Sequence, residues 1–126
     1  MINGFEQETE PLNDYEQSLV PIFIQGLKTK LGKESAVTND AMIAGLDKMG
    51  HKLNQARVRK IIAHIRNKQL IKGLMASSKG YYITNNPEEI KDYIESLQGR
   101  IEAILAIKRT FEKYLTEITS SNGKLF

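Results

Sequence analysis

TNDAMIAGLDKMGHKLNQARVRKIIAHIRNKQLIKGLMASSKGYYITNN, residues Thr38 to Asn86, is the stretch whose reading decides the fold. Thr38-Asn39-Asp40 opens an amphipathic segment that Gly50 closes, and the spacing predicts a helix over 39–49, capped by Thr38, with Ile43 and Leu46 facing inward. Gly50-His51-Lys52-Leu53 reads as a tight turn in which Leu53 plugs the angle between two helices. Asn54 caps a further helix over about 55–68, where Val58, Ile61, Ile62 and Ile65 fall within a narrow arc at about 100° per residue. After Leu70 the alternation changes to period two, and Ser78-Lys79 forms the tip of a hairpin with Gly80 where a positive φ is needed.

On the N-terminal side, residues 1–12 are polar and acidic without periodicity and read as a flexible arm. A helix starts at Asn13, with Glu16 at the capping-box position and Val20, Phe23, Ile24, Leu27 and Leu31 as its apolar stripe. Pro21 should kink or restart it, and Gly32 is its natural stop. On the C-terminal side, Asn86-Pro87-Glu88-Glu89 opens a helix over 87–119, followed by a frayed tail over 120–126. Ile94, Leu97, Ile101, Ile104, Lys108, Phe111 and Leu115 recur at alternating spacings of three and four, a heptad seam broken once by Lys108. Tyr93, Ile107 and Tyr114 flank that seam and leave room for more than two helices. The expected class is α+β: mainly α with a small hairpin over 13–86, followed by one long helix that pairs with copies of itself as a homodimer or higher oligomer.

Charge is unevenly spread. The net charge is +3, but residues 1–20 carry −5, residues 21–86 carry +9 and residues 87–126 carry −1. A basic middle segment of this kind has the footprint of phosphate binding. Asn54, Gln55, Arg57, Arg59, Lys60 and Arg66 line or flank the polar side of the 55–68 helix, together with the small residues Ala56 and Ala63. A helix that enters a major groove needs small residues where its backbone comes close and long donors beside them. Gln55 and Arg59, near the N-terminal end, are the candidates for base edges. Arg57, Lys60 and Arg66 are the candidates for phosphates, and Ser78 and Lys79 at the hairpin tip for the adjoining backbone.

Catalysis has little support. There is no cysteine, and the only two histidines, His51 and His64, are expected to point apart, so neither a metal nor another cofactor is expected. No glycine-rich phosphate loop occurs and acidic residues are scarce near the basic helix, so an enzyme is not expected. No apolar run is long enough for a membrane span and no signal peptide is visible, which makes the cytoplasm the expected location.

Residues 53–84, LNQARVRKIIAHIRNKQLIKGLMASSKGYYIT, resemble the recognition helix and wing of winged helix-turn-helix DNA-binding domains. Arg57-Val58-Arg59 matches the start of the recognition helix, Leu70-Ile71 its end, and Gly80-Tyr81-Tyr82 the wing strand. The whole chain is similar to small prophage and mobile-element proteins. That resemblance implies sequence-specific binding of double-stranded DNA in regulating the transcription or replication of such an element. Winged helices also serve as protein-interaction modules, which keeps complex assembly through the C-terminal helix as the alternative.

Overall fold

The computed structural model describes residues 11–123, so the expected arm lies outside the described residues except for its last two positions, Pro11 and Leu12. Leu12 packs against the core and belongs to the folded unit. The chain forms two compact units, one up to Asn85 and one from Asn86 onward. The first unit holds α1 (Asp14–Leu27), a short 3-10 turn (Lys33–Ser35), α2 (Asn39–Lys48), α3 (Gln55–Asn67), β1 (Leu74–Ser77) and β2 (Gly80–Ile83). The second is the single helix α4 (Pro87–Gly123). The fold is α+β: mainly helical, with one two-stranded antiparallel hairpin and a long C-terminal helix.

Local signals account for the helix starts. Asn13 and Glu16 form both halves of a capping box at α1, and the side chains of Thr38 and Asn54 accept backbone N–H bonds at the starts of α2 and α3. Gly50 takes φ +88°, letting its N–H reach Asp47 O at 3.0 Å while His51 N–H reaches Leu46 O at 2.9 Å, and α2 stops there. Leu19, Phe23 and Leu27 of α1, Leu46 of α2, Leu53 of the turn and Val58, Ile61, Ile62 and Ile65 of α3 meet in one core, with Leu74 and Tyr81 of the hairpin.

Three features differ from the sequence expectation. Helix α1 ends at Leu27, short of Gly32, and Leu31 lies outside it and is 65 % exposed. The cause is a distant partner: Lys30 O accepts from Ile83 N–H at 2.7 Å and Gly32 N–H donates to Ile83 O at 3.0 Å. Pro21 sits inside α1 on its exposed side without ending it. The C-terminal helix continues through Gly123, so residues 120–123 are helical and not a frayed tail.

The hairpin is held from outside as well as within. Its register pairs Leu74 with Ile83 and Ser77 with Gly80. Val37 and Tyr81 exchange both backbone bonds, at 2.9 and 2.8 Å, so the 30–37 segment runs along the free edge of β2. This explains Gly80 more fully than the turn alone does. Its φ is +117°, and a Cβ there would lie 2.3 Å from Val37 O.

Candidate nucleic-acid interface

The basic helix α3 is buried around most of its circumference. Val58, Ile61, Ile62 and Ile65 are at most 2 % exposed, as their spacing predicts, but Ala56 is also buried at 8 % and Lys60 at 6 %. The two were expected on the groove-facing side, and both face the core instead. The reason is an acid that periodicity in α3 does not reveal. Glu16, 1 % exposed on the first turn of α1, accepts from Lys60 Nζ at 2.7 Å and from Arg57 Nε at 2.9 Å. Asn13 N–H adds a third bond at 3.0 Å, part of the same capping box.

Burial alone would raise the Glu16 carboxyl pKa. The Lys60 ammonium, the Asn13 N–H and the Arg57 guanidinium together outweigh it and hold that pKa at about 2, against an ordinary 4.5. A carboxylate buried with two cations is a structural clamp, and Lys60, fixed inside it, is not available to a phosphate. Arg57 is held by the same carboxylate, and its guanidinium lies 5.6 Å from the centroid of the Tyr15 ring. Its side chain keeps 26 % exposure, so its remaining donors border the surface. The expected phosphate role is therefore withdrawn from Lys60, and Arg57 is foremost a clamp residue.

Tyr15 extends the clamp to the turn, where its hydroxyl lies 2.6 Å from His51 Nδ1. Neighbouring residues 15 and 16 thus fasten the turn and α3 to the start of α1. His51 serves this contact, and among the described residues no group of three His, Cys, Asp or Glu side chains could hold a metal ion.

Among the residues of α3 that are not buried, four form one arc. Gln55, Arg59, Ala63 and Arg66 fall within about 80° of one another at 100° per residue, and none of them is buried. Ala63 keeps a close approach open between two arginines, which is what groove insertion requires. Gln55 is exposed, but its amide donates to Asp40 Oδ1 at 2.9 Å, and Arg59 Nη1 lies 3.5 Å from Gln55 Oε1. Asp40, in the first turn of α2, therefore orients the chain of donors at the N-terminal end of α3. Asn54 is engaged as the helix cap, accepting from Arg57 N–H at 2.8 Å, so its oxygen is not free for a base.

Ser78 and Lys79 are exposed at the hairpin tip. Ser77 instead closes its own turn, donating to Gly80 O at 3.0 Å and accepting from Lys79 N–H at 3.2 Å. Of the eight positions singled out from sequence, Gln55, Ser78 and Lys79 are exposed and Arg59 and Arg66 half-buried. Asn54, Arg57 and Lys60 turn to capping or clamping. Glu16 was missed as a site-shaping residue. Its one signal was its place in a capping box, which explains only one of its three bonds.

On α4 the seam residues are uncovered. Ile94, Ile101, Ile104, Phe111 and Leu115 are 57–67 % exposed and Leu97 is 36 % exposed. Lys108 Nζ reaches Glu112 Oε2 on its own helix at 3.1 Å, both side chains well exposed. Among the described residues no helix is long and apolar enough to cross a membrane.

No protein-family model, no curated protein and no solved structure matches this chain. Its function rests on its own residues.

Proposed function

We propose that the chain is a cytoplasmic, non-enzymatic, homo-oligomeric DNA-binding protein. Its first unit acts as a winged helix-turn-helix and α3 as the reading helix, in regulating the transcription or replication of a phage or mobile element. The observation that carries this reading is the arc Gln55–Arg59–Ala63–Arg66, none of it buried, on a helix that a helix-turn precedes in the chain and a hairpin bearing Lys79 at its tip follows. Arg59, nearer the N-terminal end, is the base-reading candidate, since arginine grips guanine in two places. Arg66 and Lys79 are the phosphate candidates.

Self-association follows from α4. Nine large apolar residues from Ile94 to Ile118 are 36–67 % exposed on this one helix. Their spacing of three and four matches a second copy of the same seam. Isoleucine at both core positions, as in Ile101 and Ile104, with leucine then isoleucine at Leu115 and Ile118, favours three or four strands over two.

Selection of bound sequences from a random duplex pool, followed by binding at several salt concentrations, tests the reading. A consensus and a log–log salt slope of about −5 are expected for contact with five or six phosphates. Arg59→Ala should cost about 1–3 kcal/mol and relax preference at one base position, whereas Arg66→Ala should weaken all sequences alike and lower the slope by about 1. Absence of salt-dependent duplex binding would move the arc to a protein partner, with α4 assembling the complex.

A further inference from the structure

An apolar groove of about 490 Å³ opens on the first unit between α1 and α2, and no residue of α3 lines it. Phe23, Leu27 and Leu46, at most 6 % exposed, form its floor. Met42 and Met49 stand on the α2 side, the latter 58 % exposed, and thioether side chains reshape readily around a guest. Lys30 is the one ionisable residue lining it, with Gln25 as a second polar group, and no carboxylate faces it.

Two glycines open its walls, Gly26 on α1 and Gly45 on α2. Neither takes a positive φ, and a Cβ on either would meet nothing within 4 Å. Glycine within a helix is less stable than alanine because it surrenders more backbone freedom. Nothing inside this unit requires that sacrifice at either position, yet both glycines face the same groove. A body outside the chain that approaches both backbones accounts for the pair.

We propose that this groove binds an amphiphilic organic acid: an unbranched apolar chain of medium length lying over Phe23, Leu27 and Leu46, with its carboxylate at Lys30. Three observations select this class. The volume falls in the small-molecule range of about 300–1,000 Å³, and small-molecule sites are mostly apolar with few polar groups. The single cation, unopposed by any acid in the lining, selects an anionic head. An amphipathic helix as guest needs a row of several anchors along an extended trough, which a groove of this size does not supply. The binding claim is independent of the DNA reading. Its regulatory consequence rests on that reading: α2 leads directly into the turn that α3 follows, so a guest wedged against α2 bears on the reading helix.

The probe is octanoate, with octan-1-ol as its uncharged counterpart, titrated into the full chain by calorimetry and by amide chemical-shift perturbation. Saturable binding at one site per chain is expected, with octanoate at least fivefold tighter than the alcohol. Lys30→Met should abolish that preference without weakening the alcohol. Gly45→Leu should weaken both ligands at least tenfold with melting unchanged. Gly26→Leu fills the opposite wall and repeats the test should Gly45→Leu not fold. Lack of saturation up to the solubility limit overturns the proposal. So does binding indifferent to both filling variants, which would place the ligand on the apolar face of α4. Concentration-dependent association that either filling variant abolishes also overturns it, by assigning the groove to a second copy.

Discussion

Helices α3 and α4 carry the same kind of periodic apolar stripe and meet opposite fates. In α3 even a lysine is buried, at 6 % exposure, whereas in α4 a phenylalanine, Phe111, stands 67 % exposed. The difference lies in what surrounds each helix. Helix α3 packs against α1 and α2, and Glu16 supplies the charge that lets Lys60 enter. Helix α4 has a stripe as regular as that of α3, and nine of its large apolar residues from Ile94 to Ile118 are at least 36 % exposed. Periodicity reports that a face must be covered. It does not say by what, or how many other residues go in with it.

Breaking the clamp should have the largest effect. Glu16→Ala leaves Lys60 buried without its acid, and removing one partner of a buried pair costs about 3–5 kcal/mol. Urea unfolding of the first unit should show that loss, while the helicity of α4 persists. A loss under 1 kcal/mol would mean that Lys60 escapes to solvent and that α3 is not enclosed as described.

The same group sets an acid limit. Its pKa is about 2 folded against 4.5 ordinarily, so the unfolded chain takes up the proton first. The stabilisation, of order 3 kcal/mol, is fully present above about pH 4.5 and disappears as pH falls from there towards 2. The difference in urea midpoint between the parent and Glu16→Gln should therefore shrink across that window. A difference independent of pH would sink the assignment.

The uncovered stripe is tested next. Ile101→Asp with Ile104→Asp should raise the concentration at which copies separate by 100-fold or more, about 3 kcal/mol, leaving the first unit folded. Lys108→Ile, filling the one gap in the seam, should strengthen association by a smaller factor, near tenfold. Light scattering on the parent is the prior check: a strict monomer at tens of micromolar would show that the stripe is covered within the chain.

The smallest effect belongs to Gln69. It follows α3 at φ +53°, a left-handed position where glycine is the usual residue, while its N–H bonds Arg66 O at 3.2 Å. Gln69→Gly should stabilise the first unit by up to about 1 kcal/mol, the relief of side-chain strain being offset in part by backbone entropy. Destabilisation by thermal melting would show that the glutamine side chain makes a contact worth more than its strain.

Much of this fold could be read from sequence because its signals are local. The starts of α1, α2 and α3 follow from Asn13, Thr38 and Asn54 as caps, and the ends of α2 and α3 lie within a residue of the spacing. The hairpin tip at Ser78-Lys79 follows from two-residue turn chemistry. What escaped depends on partners far along the chain. Glu16 meets Arg57 across 41 positions, so the basic face of α3 looked wider than it is. Ile83 draws in Lys30 and Gly32, so α1 looked longer than it is. The basic arc left uncovered excludes Ala56 and Lys60 and carries Arg59, Ala63 and Arg66.

The tethering of the 30–37 segment to β2 has a dynamic consequence. Because Gly32, Val37, Tyr81 and Ile83 share backbone bonds, the hairpin cannot lift from the domain unless the connection between α1 and α2 releases at the same moment. In hydrogen exchange the amides of Val37 and Tyr81 should therefore open together, at one rate, as members of a single cooperative unit. Lys79 at the tip is exposed and stands outside this bonded group, so a ligand that grips the tip pulls on a braced lever whose other arm is the chain entering α2.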